Sequence, residues 1–162
     1  MKKSTMSIAL ATALLSMTAV NASEFKGGYV GGKLGFNTNS PVVTNVTSNK
    51  FYLGGEIGYG WDLNKFMLGV DGFVDGHNKS VTGKDYGADV KLGFPMDKLM
   101  PYAKLGFAAS HPGARVHGGF GVEYKYAPHW SVAGEWTADS KNVNSVKEKN
   151  SNVSVGVNYY FN

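Results

Sequence analysis

The chain has 162 residues, no cysteine and a formal charge of +4, which excludes a disulfide framework and a thiolate metal site. The positive excess is small, so nucleic acid is not an expected partner. No segment beyond the first 22 residues is apolar for long enough to form a membrane helix, a test that crossing β-strands would also pass.

The first 22 residues stand apart from the rest. Lys2 and Lys3 precede an apolar run from Ile8 to Val20, which closes on the small-residue pattern Val20-Asn21-Ala22. This is the layout of a secretory signal peptide, and the run is short for a membrane anchor of about 20 residues. Residues 1–22 are therefore expected to be a cleaved signal peptide. Residues 23–162 are expected to form one exported domain of about 140 residues.

Beyond that point the chain repeats one pattern. Eight segments alternate apolar and polar residues: Lys26–Asn37, Lys50–Trp61, Phe66–Asp75, Asp85–Phe94, Met100–Ala109, Arg115–Tyr126, Trp130–Asp139 and Ser151–Phe161. A period of two over such lengths marks strands with one apolar and one polar face, and about ten residues suffice for a tilted strand to cross a bilayer. The connections alternate as well. "DLNK", "PMDKL" and "APH" are tight, "TNSPVVTNVTSN", "GHNKSVTGK" and "SKNVNSVKEKN" are long and polar, and "SHPG" is a short exception. Short turns on one rim and longer loops on the other are the pattern of an outer-membrane barrel.

The charges fall on one parity. Lys33, Glu56, Asp71, Asp89, Lys91, Lys104, Arg115, Glu123, Lys125 and Glu135 share the polar face of their segments with Gly31, Gly35, Gly54, Gly58, Gly106, Gly119, Gly121 and Gly156. The large aromatics lie on the other parity and towards strand ends. Tyr59, Trp61, Phe66, Phe94, Trp130, Tyr159 and Phe161 lie near the short turns, and Phe36, Phe51, Tyr86 and Trp136 near the long loops. A soluble core would gather its rings at mid-strand, whereas two separated bands match interfacial girdles. The apolar face is thus expected to meet lipid. The Gly-rich charged face is expected to fill a narrow bore. The fold class is all-β, an eight-stranded antiparallel up-and-down transmembrane barrel.

The tracts "GYVGGKLGFN", "MLGVDGFVD", "ADVKLGFPMDKLMPYAKLGFA", "GGFGVEYKYAPHWSVAGEW" and "VSVGVNYYFN" resemble the transmembrane barrel of outer membrane protein A and its small stand-alone relatives. The resemblance covers nearly all of residues 23–162. It implies location in the outer membrane of a Gram-negative bacterium and a bore closed by interior salt bridges. By position it places Lys33, Asp71, Lys91 and Glu135 in that network, and Asp71 stands where the family more often has a longer glutamate. The polar parity, not the resemblance, adds Glu56 and Lys104 to the bore. It implies that Tyr159 and Phe161 serve as the assembly signal for the barrel-assembly machinery, although Asn162 follows them. The family's periplasmic peptidoglycan-binding domain is expected to be absent.

Catalysis, cofactors and metals are not expected. Ser110 and His111 are the best nucleophile–base candidates, yet neighbours on a strand end face opposite ways and no acid lies near them in the sequence. Asp75, His77 and Asp85 lack a metal-ligand spacing. The expected function is a structural or surface-exposed role in the envelope, with a narrow ion pore as the alternative and lipid A modification behind it. The expected partners are outer-membrane lipids, lipopolysaccharide and the assembly machinery, and the barrel is expected to be a monomer.

Overall fold

In the computed structural model, residues 22–41, 48–77, 84–110, 113–143 and 146–161 are described. After a 3₁₀ turn at Ala22–Phe25, eight strands follow in order: β1 (Gly27–Pro41), β2 (Ser48–Asp62), β3 (Met67–His77), β4 (Lys84–Gly93), β5 (Leu99–Ser110), β6 (Gly113–Ala127), β7 (Trp130–Val143) and β8 (Val146–Tyr160). Each pairs antiparallel with the next, and β8 returns to β1, so the sheet closes into a barrel.

The register sets the size of the bore. Partners from Gly27 lead through Gly60, Gly69, Lys91, Lys104, Gly119, Thr137 and Asn152 back to Asn37, a stagger of 10 residues per circuit. With eight strands, this stagger tilts them by about 40° and leaves an interior that side chains can fill. Closure also removes every open edge along the paired length.

Alternation decides which side each residue faces. Val30, Leu34, Leu53, Ile57, Val70, Val90, Leu92, Leu105, Phe120, Val153, Val155 and Val157 are all exposed, whereas Lys33, Asp71, Asp89, Lys91, Lys104, Glu123 and Lys125 are buried. This inverts a soluble core. The apolar surface needs hydrocarbon around it, and the charges need one another. Val155 faces outward between Gly134 and Leu34 near mid-strand. Val155→Lys should cost about 2–4 kcal/mol in urea unfolding from lipid, with Val155→Leu close to neutral.

Three short turns join strands on one rim. Asn64 (φ 72°) lies in the β2–β3 turn, where its N–H donates to Asp62 Oδ1 at 2.7 Å. Asp97 (φ 55°) occupies the β4–β5 turn, closed by Met96 N–H to Leu99 O at 2.7 Å. Both positions take the left-handed backbone that Asn and Asp tolerate. At the other rim β1, β2, β7 and β8 run past the alternating segments. The tract "SKNVNSVKEKN", read as a loop, instead continues β7 and β8 to the register pair Val143↔Val146. Beyond the lipid neither face needs apolar residues, so the period-two signal fades while the backbone pairing persists.

The aromatic bands are outward. Tyr59, Trp61, Phe66, Trp130 and Phe161 are exposed at the turn rim. Phe94 and Tyr159 are partly covered by their ring neighbours, Phe66 at 5.7 Å and Trp130 at 5.0 Å.

Candidate functional site

The bore is filled in three levels. At the turn rim, Gly27 takes φ 100° and folds the N-terminal turn beneath the strands, a conformation that favours glycine. Phe25 thereby enters the mouth fully buried, edge-on to Tyr160 at 6.3 Å, in a cluster with Tyr29, Met67, Met100 and Tyr102. Glu123 lies in this level with no exposed surface. Its Oε1 accepts from Ser131 Oγ at 2.5 Å, Tyr160 O–H at 2.8 Å and Asn158 Nδ2 at 3.1 Å.

The middle level carries the ion pairs. Lys91 Nζ sits 3.8 Å from Asp71 Oδ2 and donates to Tyr29 Oη at 3.2 Å, while Tyr29 donates to Asp71 at 3.1 Å. The same ammonium lies over the Tyr29 and Tyr102 rings, at 5.1 and 4.8 Å. Lys104 Nζ lies 2.9 Å from Asp89 and 3.0 Å from Glu135, so one cation serves two carboxylates. Glu135 also accepts from Tyr102 O–H at 2.8 Å, and His117 Nε2 lies 2.7 Å from Asp89 Oδ1. Lys33 pairs with Asp75 at 3.4 Å and covers the Phe73 ring at 4.4 Å. Charges held this way are desolvated, and each depends on its partner.

Nearest the long loops, Arg115 bridges Asp85 and Asp139, with Nε 3.1 Å from Asp139 Oδ2. Asn37 donates to Asn152, and Asn150 donates to Asp139. Between the middle and upper levels remains a polar cavity of about 30 Å³, room for about two waters. It is lined in part by Lys33, Asp75, Asp89, Lys104, His117 and Glu135.

Of the six charges singled out in the sequence, Lys104 and Glu135 meet directly. Lys91 joins Asp71, and Lys33 turns to Asp75. Glu56 forms no ion pair among the described residues. Asp75, Asp85, Asp89, Arg115, His117 and Asp139 complete the arrangement. They share the interior parity of Lys33, and that parity was their signal in the sequence. Asp75 and Asp85, weighed as cation ligands, instead each face a basic side chain. His111 and the side chains of His77 and Ser110 lie outside the described residues.

At Gly106 the bore has no room to spare. A Cβ there would run into the Asp89 carboxylate and the Ala88 carbonyl. Glycine leaves the room that the Asp89 carboxylate occupies beside Lys104.

A closed barrel that is apolar outside, charged inside and girdled by rings at its rim is a transmembrane β-barrel. Residues 7–161 match the family model of the outer membrane protein beta-barrel domain. The chain belongs to that family, and it is an outer-membrane protein of the Gram-negative type. Among solved structures, Neisserial surface protein A aligns with a TM-score of 0.57 at 21% identity, over 83% of this chain and 97% of that one. A de novo designed transmembrane barrel aligns at 0.55 and 18% identity, over 83% and 96%. The attachment invasion locus protein of Yersinia pestis aligns at 0.49 and 14%, over 83% and 99%. No curated protein matches the chain.

Proposed function

We propose that this protein is a monomeric, non-catalytic barrel with a structural or surface-contact role in the outer membrane, its bore closed by the interior ion pairs. The observation that carries this reading is the cavity of about 30 Å³. A passage for solutes would need a continuous opening, whereas here Lys104, held between Asp89 and Glu135, and Phe25 in the turn-rim mouth occupy successive levels. Its partners in this reading are outer-membrane lipids and lipopolysaccharide, and the assembly machinery reads Tyr159 and Phe161 during insertion.

The polar lining of the cavity supports one alternative, a narrow ion pore. Planar-bilayer recording separates the two. The intact protein should give no stable conductance steps, and a steady ohmic conductance would replace the plug with the pore. Unchanged lipid A mass profiles with and without the protein would in turn set aside a lipid-modifying activity.

A further inference from the structure

A second site lies at the turn rim. We infer that the pocket between the N-terminal turn and the β6–β7 turn binds the headgroup of a zwitterionic aminophospholipid from the adjoining leaflet. The pocket has a volume of about 340 Å³ and is lined by Glu24, Lys98, Lys125, Tyr126, Pro128 and His129 among others, a size at the lower end of small-ligand sites. Beside it the β6–β7 ladder shifts register between Lys125 and Ala127 before the last pair, Ala127↔Trp130.

Lys125 is the unusual member. Its side chain is buried, at 2% exposure, while Glu24, Lys98, Tyr126, Pro128 and His129 are exposed. The ammonium donates to Pro128 O at 3.1 Å and lies over the Tyr160 ring at 4.4 Å and the Phe25 ring at 5.8 Å. It has no carboxylate within salt-bridge distance among the described residues. A buried ammonium with no carboxylate in direct contact is costly. It has three donors, of which the protein engages one with an oxygen. An anionic oxygen entering the pocket would satisfy what remains, and Lys98 is a second cation in the lining.

The location selects the anion. Tyr126, one wall of the pocket, is exposed on the outward parity beside Tyr124 and Trp130. Such a girdle sits at headgroup depth. A phospholipid phosphate is therefore the anion at hand, bound through charge-assisted hydrogen bonds. Glu24 selects among headgroups. It places a negative charge in the same pocket, which opposes a purely anionic headgroup and favours one whose phosphate is followed by an ammonium.

The test uses the folded mature protein, residues 23–162, in vesicles of mixed phosphatidylethanolamine and phosphatidylglycerol, released into native mass spectrometry. The intact protein should retain one phosphatidylethanolamine in preference to phosphatidylglycerol. Lys98→Gln should lower that retention about tenfold, the worth of one charge-assisted contact. Glu24→Gln should leave retention in place and abolish the preference between the two lipids. Lys26→Gln, an exposed rim charge outside the pocket, should change neither. Equal losses from Lys26→Gln and Lys98→Gln would overturn the site in favour of general surface charge. Inorganic phosphate binding that depends on Lys98, without lipid retention, would overturn the lipid assignment. The three substitutions lie on exposed side chains, so folding, read by heat-dependent gel mobility, should survive in each.

Discussion

Lys104→Met should destabilise the barrel by about 3–5 kcal/mol in urea unfolding from lipid, the usual cost of leaving buried charge without its partner. The cost lies at the upper end because Lys104 faces both Asp89 and Glu135, and its loss leaves two carboxylates together. Asp89 keeps His117 at 2.7 Å, whereas Glu135 keeps the neutral Tyr102 hydroxyl as its hydrogen-bond donor among the described residues. Adding Glu135→Gln should therefore recover more of the loss than adding Asp89→Asn. A double-mutant cycle measures the difference directly. Additive single and double mutants would mean that water, not Lys104, carries these carboxylates, and the plug reading would fall with that result.

Tyr29→Ala should cost a similar amount, about 3–5 kcal/mol, for a different reason. The ring is 1% exposed and packs 5.3 Å from the Tyr160 ring, so truncation empties a large volume at the turn-rim mouth. The hydroxyl adds a second role, because it bridges Lys91 and Asp71. Tyr29→Phe isolates that role and should cost about 1 kcal/mol, the worth of a typical hydrogen bond. If the two substitutions cost the same, the hydroxyl dominates and the aromatic packing contributes little.

The barrel was legible because lipid imposes a rule on every residue of a strand. From Val153 to Phe161 each outward residue is apolar or aromatic, so parity and strand number followed from reading alternate positions. The same rule explains what could not be read. The ends of β7 and β8 rise past the lipid, where "SKNVNSVKEKN" has no reason to alternate. The pairing of charges was hidden by the stagger. Lys33, Lys91 and Lys104 share a parity, but the carboxylate each one meets depends on a register that climbs 10 residues per circuit. A one-dimensional pattern names the lining of a bore and not its neighbours across it. The site around Lys125 left no pattern in the sequence, since the register shift beside it at the β6–β7 turn is set by pairing and not by residue type.

The seating of Phe25 against Tyr160 ties the two ends of the chain into one event. The β1–β8 ladder joins the first strand to the last, so it closes the largest loop in the molecule and is entropically the slowest pairing to find. Until it forms, both strands are bare edges open to the wrong neighbour. The ring of Phe25 has no complete socket before that moment, because Tyr160 arrives only with β8. Its burial thus marks the end of assembly. An interrupted barrel, held as a seven-strand intermediate, would show Phe25 to solvent while most of its hairpins were already paired.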